Sequence, residues 1–142
     1  MYRKEFLKKI GILASGTIGS FLISSCAVIK YVQYSVEGNN LVVKKSEFSD
    51  MQRFVLLNVN GLPAAIYLRK NENETFTALL TQCTHKGCEV DPDYDMLSCP
   101  CHGSKYSSTG EVISPPAKNP LMKFNVTTDR DSIYINIREN QQ

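Results

Sequence analysis

The feature that most constrains this chain of 142 residues is a pair of short boxes in which cysteine and histidine recur at close spacing. Residues 83–88 read Cys-Thr-His-Lys-Gly-Cys, and residues 99–104 read Cys-Pro-Cys-His-Gly-Ser. Each box places a thiol and an imidazole on one tight loop, where both can bind the same metal site. Two such loops facing each other would supply two sulfur and two nitrogen ligands, from Cys83, His85, Cys99 and His102.

The chain around these boxes differs in composition from the rest. From residue 83 to about residue 116 it is rich in Cys, His, Gly, Pro and Asp and has no long apolar run. We therefore expect an insert with too little apolar surface to be held by burial, whose order comes from a metal or from disulfides.

Outside this insert, the pattern from Tyr31 onward predicts an all-β domain. Short segments rich in Val, Ile, Leu, Tyr and Phe alternate with polar turns, and no amphipathic stretch is long enough to predict a helix. The last two segments alternate apolar and polar residues, which is typical of a hairpin with one buried face. The predicted strands cover residues 31–36, 41–45, 54–59, 64–70, 76–82, 121–127 and 132–137.

The two boxes resemble those of the Rieske iron–sulfur family, and the additional cysteines resemble its high-potential branch. The resemblance implies an antiparallel β-sandwich or barrel over residues 31–138, with a small cluster-binding subdomain of two ligand loops inserted at about residues 83–117. It implies one [2Fe–2S] cluster, with Cys83 and Cys99 on the inner iron and His85 and His102 on the outer iron. Such clusters have potentials between about −150 and +300 mV, because neutral imidazoles replace two thiolates.

Further roles follow from the same resemblance. Cys88 and Cys101 would form a disulfide that joins the two ligand loops, which an oxidising compartment supports. Ser104 and Tyr106 stand where relatives have hydroxyls that bond a bridging sulfide and a ligand sulfur, and both would raise the potential. Residues 114–117 resemble the proline loop that covers the cluster from a third side.

The start of the chain indicates export. Residues 2–8, Tyr-Arg-Lys-Glu-Phe-Leu-Lys, resemble a twin-arginine signal with lysine in place of the second arginine, and residues 10–29 carry no charge. Residues 23–26, Ile-Ser-Ser-Cys, resemble a bacterial lipobox, so we expect an export signal over residues 1–26 that ends in a lipidated Cys26. An uncleaved transmembrane helix is the main alternative, and simple secretion with Cys26 as an incidental residue of the leader is a lesser one. In the first two cases, we expect a membrane-anchored protein on the periplasmic side of a bacterium.

The charge of the chain argues against nucleic acid as a partner. The formal net charge is +2, but the four basic residues and one acidic residue among the first nine account for +3 of it. The remaining 12 basic and 13 acidic residues offer no dense basic face for a phosphate backbone.

Three functional hypotheses remain open. The first is an electron-transfer subunit of a quinol-oxidising complex, with cytochrome b or c as a redox partner. The second is a small subunit or accessory electron carrier of another exported oxidoreductase, similar to arsenite oxidase. In both, the chain carries electrons and has no catalysis of its own. The third is a structural module with zinc at the four ligands, since two Cys and two His also suit tetrahedral Zn²⁺.

Two other interpretations of residues in this insert have weaker support. Pairing the four cysteines of the boxes as two plain disulfides would leave two histidines at ligand spacing by chance. Asp91, Asp93 and Asp95 resemble a calcium loop, but alternate acids beside a proline are typical of a solvated turn.

Overall fold

The computed structural model describes residues 29–93 and 95–138, so the leader and Cys26 lie outside the described residues. No helix within these residues is long and apolar enough to cross a membrane. The described residues form eleven strands: β1 (Ser35–Glu37), β2 (Asn40–Lys44), β3 (Phe54–Leu57), β4 (Ile66–Lys70), β5 (Phe76–Leu80), β6 (Asp91–Asp93), β7 (Met96–Ser98), β8 (Lys105–Ser107), β9 (Val112–Ser114), β10 (Lys123–Thr128) and β11 (Ser132–Asn136). The prediction of an all-β fold is confirmed.

The strands form two antiparallel sheets. The base sheet has the order β1-β2-β11-β10-β5-β4-β3, and the smaller sheet, which lies in the insert, has the order β6-β7-β8-β9. The hairpin predicted at the end of the chain is β10 with β11, in which Val126 lies opposite Ile135. The insert thus separates β5 from β10, which are neighbours in the base sheet.

Residues 30–37 join the two edges of the base sheet. Val32 N–H donates to Leu56 O at 3.0 Å, and Leu56 N–H donates to Lys30 O at 2.8 Å, so this segment lies along β3. A few residues later the chain pairs with β2 as β1. The single strand predicted over residues 31–36 is therefore wrong in its bounds, because the chain changes its pairing partner within that segment.

The interior of the curled base sheet holds the first hydrophobic core. Successive side chains of a strand point to opposite faces, so every second residue contributes to it. In β3 these residues are Val55 and Leu57, both fully buried. The core consists of Val32, Leu41, Val43, Val55, Leu57, Val59, Ile66, Leu68, Ala78, Leu80, Phe124, Ile133 and Ile135.

The insert forms a second core against the outer face of the base sheet. Phe54 and Leu56, the other two residues of β3, face this core, so all four residues of the strand are buried. The insert contributes Val90, Leu97 and Tyr106 to the same core. The insert therefore takes part in an apolar core, whereas we expected its order to come from a metal or from disulfides. Its few apolar side chains suffice because the base sheet supplies the facing half of the core.

This shared core gives a first prediction. Leu97 in β7 is fully buried, so Leu97→Ala should lower the free energy of unfolding by about 2–5 kcal/mol through lost transfer energy and the cavity left behind. Ile113 in β9 of the same sheet is 52% exposed, so Ile113→Ala is the control and should change the free energy of unfolding by less than about 0.5 kcal/mol. Urea unfolding measures the free energy of unfolding of both variants. Equal losses would contradict the role of Leu97 in the second core.

Candidate functional site

The two ligand loops have the same backbone hydrogen bonds at the same offsets. In the first loop Cys83 N–H donates to Cys88 O at 2.7 Å, and Gly87 N–H donates back to Cys83 O at 2.8 Å. In the second loop the N–H of Cys99 donates to the carbonyl five residues later at 2.8 Å, and Gly103 N–H donates back to Cys99 O at 3.0 Å. Both glycines have a φ near +80°, the region that side chains disfavour. The repeated motif thus folds into two similar turns.

Of the four candidate ligands on these turns, the two thiols are buried and the two imidazoles lie nearer the surface. Cys83 and Cys99 are each 3% exposed. His85 is half-buried and His102 is exposed. The two imidazole rings lie edge to face with their centroids 4.9 Å apart. The Nδ1 atom of His85 is buried and has no hydrogen-bond partner among the described residues.

Cys88 and Cys101 form a disulfide between the two loops, with their Cα atoms 6.5 Å apart, which is the pairing that the resemblance implied. Their sulfurs and that of Cys99 lie within 4.8 Å of one another. Because two of these three sulfurs are bonded to each other, only the Cys99 thiol of this group is free to bind a metal.

Tyr106 in β8 contacts the first ligand loop through its hydroxyl. Its side chain is fully buried, and its hydroxyl lies 3.3 Å from Cys83 Sγ. Burial alone would raise the pKa of the Cys83 thiol, but hydrogen bonds from the Tyr106 hydroxyl and from the backbone N–H of His85 outweigh it. The pKa of Cys83 therefore lies below its ordinary value. Burial and the bond to Cys83 raise the pKa of Tyr106.

Ser104 links the second ligand loop to residues 114–117, the segment that resembles a proline loop. Ser104 is fully buried, and its Oγ accepts a hydrogen bond from Ala117 N–H at 2.9 Å. The peptide bond between Pro115 and Pro116 is cis. Since Oγ is the acceptor of this bond, the hydroxyl hydrogen of Ser104 stays available for another acceptor beside the ligand loops.

The acids that resemble a calcium loop lie apart from this site. Asp91 and Asp93 belong to β6, and Asp95 accepts a hydrogen bond from Arg69 at 2.6 Å. They form no metal-binding cluster within the described part of the chain. Asp95 instead connects the hairpin of β6 and β7 to the base sheet.

Sequence reasoning missed Thr84 and Asn119. The Thr84 side chain lies 3.1 Å from the Tyr106 hydroxyl and donates to the backbone carbonyl of Asn119 at 2.7 Å. Thr84 stands inside the first box and could have been considered. Asn119 contributes only its backbone, so no side chain in the sequence marks it.

The donor set fits a cluster that takes two sulfur and two nitrogen ligands. The two thiols are buried, the two imidazoles adjoin each other, and the buried His85 Nδ1 has no hydrogen-bond partner among the described residues. A buried polar atom without a partner costs about 1–3 kcal/mol. A ligand at His85 Nδ1 would remove this cost.

Comparisons with known proteins point to one family. The family model for the Rieske [2Fe-2S] domain matches residues 35–125. The cytochrome b6-f complex iron-sulfur subunit of Chlorobaculum tepidum is 41% identical over 69 residues, which cover 47% of this chain and 38% of that protein. Subunit 1 of the same name from Nostoc sp. is 31% identical over 102 residues, which cover 69% of this chain and 57% of that protein. The chain thus matches about half the length of these relatives.

A solved structure has the same fold. The cyanobacterial plasma membrane Rieske protein from Synechocystis superposes with a TM-score of 0.56 at 22% sequence identity. The match covers 65% of this chain and 93% of that one. At this identity the likeness concerns the fold.

Proposed function

This chain belongs to the Rieske [2Fe–2S] family, and from this membership we propose that it works as a one-electron carrier. The cofactor is one [2Fe–2S] cluster. Cys83 and Cys99 supply the thiolates of the inner iron, and His85 and His102 supply imidazole nitrogens to the outer iron. The observation that supports this assignment is that both thiols are buried while the two imidazoles adjoin each other nearer the surface.

When bound, such a cluster takes up and releases a single electron at a potential that its surroundings set. Tyr106 donates a hydrogen bond toward Cys83 Sγ, and this bond strengthens as the sulfur becomes more negative. The free hydroxyl hydrogen of Ser104 acts in the same direction. Both residues therefore favour electron uptake and raise the potential.

A bound cluster would exchange electrons at the side of the site where His85 and His102 lie. His102 is exposed and His85 is half-buried, whereas both thiols are covered by the protein. Where the donor is a quinol, the ring nitrogen that is not a ligand takes up the proton released with the electron. A partner protein therefore docks over His85 and His102.

The partner is a cytochrome-containing, quinol-oxidising complex, in which this chain is the membrane-tethered electron-transfer subunit. Support comes from the two relatives, each named as an iron–sulfur subunit of the cytochrome b6-f complex. The uncharged stretch over residues 10–29 and the lipobox-like Cys26 support a tether on the periplasmic side.

A second candidate is the small subunit or accessory electron carrier of another exported oxidoreductase. The observation that favours it is the short connection between the two boxes, where β6 and β7 form a tight hairpin over residues 91–98. This hairpin contacts the base sheet through Asp95 and Arg69.

Purification of the full chain from its own membranes in mild detergent tests the choice of partner. The proposed function predicts that a haem-containing cytochrome b co-purifies and that quinol reduces the iron–sulfur centre in this preparation. Co-purification with a large molybdenum subunit would instead favour the second candidate, an accessory electron carrier of another oxidoreductase. A zinc-containing preparation without iron would overturn both.

A further inference from the structure

The Tyr106 hydroxyl has two neighbours that can accept its hydrogen. It lies 3.3 Å from Cys83 Sγ and 3.1 Å from Thr84 Oγ1. A third neighbour, the backbone N–H of Thr84, donates to the phenolic oxygen at 3.0 Å. That last bond uses a lone pair of Tyr106 and leaves its hydrogen uncommitted.

The direction of the bond between Tyr106 and Thr84 follows from counting hydrogens. Thr84 Oγ1 lies 2.7 Å from the backbone carbonyl of Asn119, which can only accept. The single hydroxyl hydrogen of Thr84 is therefore used there. The bond between the two hydroxyls then has Tyr106 as donor and Thr84 as acceptor. One hydrogen of Tyr106 thus faces two acceptors, a hydroxyl oxygen and a sulfur.

We infer that Thr84 and Cys83 compete for the hydroxyl hydrogen of Tyr106, and that the balance between them changes with the redox state of the site. The inference rests on the ligand assignment proposed above. A sulfur that bears more negative charge is the better acceptor, so the hydrogen bonds Cys83 more strongly after the electron arrives. Before it arrives, Thr84 takes a larger share and stabilises the oxidised state.

This competition makes Thr84 a positioning residue that lowers the potential set by Tyr106. Without the Thr84 hydroxyl, the Tyr106 hydrogen bonds Cys83 in both redox states, and the oxidised state loses its alternative acceptor. Asn119 takes part because its carbonyl fixes the Thr84 hydroxyl as an acceptor. The segment that contains Asn119 is itself anchored by the buried side chains of Ala117 and Leu121.

Anaerobic potentiometric titration of the full, cluster-containing chain tests the inference as a double-mutant cycle. We expect Thr84→Val to shift the potential upward, Thr84→Ser to leave it near the original, and Tyr106→Phe to shift it downward. Adding Thr84→Val to Tyr106→Phe should cause no further shift, because the disputed hydrogen is then gone. In the oxidised state, Fe–S(Cys) Raman bands should shift more in D₂O for Thr84→Val than for the original chain.

The outcomes separate the inference from the proposed function. An equal shift by Thr84→Val with and without Tyr106 would overturn the competition and leave a structural role for Thr84. A downward shift by Thr84→Val would also overturn it. Absence of an iron–sulfur signal from the unsubstituted chain would overturn the proposed function itself.

Discussion

Alanine in place of His102 will leave a folded chain that no longer retains its cluster. His102 is exposed and takes no part in either hydrophobic core, so the fold does not depend on its side chain. Mutation of a residue that only hydrogen-bonds a metal ligand lowers metal affinity roughly 10–100-fold. Loss of a ligand itself should lower iron retention at least as much. Iron and acid-labile sulfide per chain measure the effect, and circular dichroism reports the fold.

Two further variants make this result specific to ligation. Lys86→Ala is the matched control. Like His102, Lys86 is exposed in a ligand loop, but its side chain is not a proposed ligand. It should keep the full iron content. His102→Cys restores a ligand of another type and should keep iron at a lower potential, since a thiolate makes the cluster more negative. Full iron retention by His102→Ala would contradict the ligand assignment.

Removal of the disulfide will cause the second large effect. The bond joins the two ligand loops across a sequence separation of 13 residues. In the chain-entropy model, closing a loop of this length stabilises the fold by about 3 kcal/mol. The double variant Cys88→Ala/Cys101→Ala should lose roughly that free energy of unfolding. It should also lose its cluster faster, because Cys99 lies beside the disulfide.

Chemical denaturation in the presence and absence of a thiol reductant measures this effect and contains its own control. The reductant should destabilise the original chain to about the level of the double variant and should not change the double variant further. A double variant as stable as the original chain would show that the shared apolar core alone holds the insert.

Much of the base domain could be predicted from the sequence because its signals are local. Alternation along β10 and β11 indicated a hairpin, and the structure has one. The apolar run of β3 indicated a strand, although not that its two faces contact different cores. The Rieske membership and the disulfide agree with the resemblance of the boxes. The ligand roles of the four box residues stay predictions.

The sheet of the insert could not be predicted from periodicity. Its strands have three residues each, which is too short for an alternation to stand out from chance. Asp91–Asp93 also has the composition of a turn, since it contains a proline between two acids. What makes these segments strands is burial against the outer face of the base sheet, and that contact depends on residues distant in sequence.

The contacts around Tyr106 were partly predictable for a similar reason. The hydroxyl beside Cys83 belongs to the side chain of Tyr106, which can be read from the sequence, and the resemblance pointed to this residue. Its competitor Thr84 owes its role to a backbone carbonyl at Asn119, 35 residues away. A backbone acceptor is present at every residue, so only the fold can show which one is used.

Electron paramagnetic resonance of the dithionite-reduced full chain, with measurement of its hyperfine couplings, tests the central claim most directly. Ligation by Cys83, Cys99, His85 and His102 predicts a rhombic signal with a low average g value and couplings from two histidine nitrogens. A silent, zinc-containing sample, or a signal without nitrogen couplings, would contradict the account of this chain as a Rieske electron carrier.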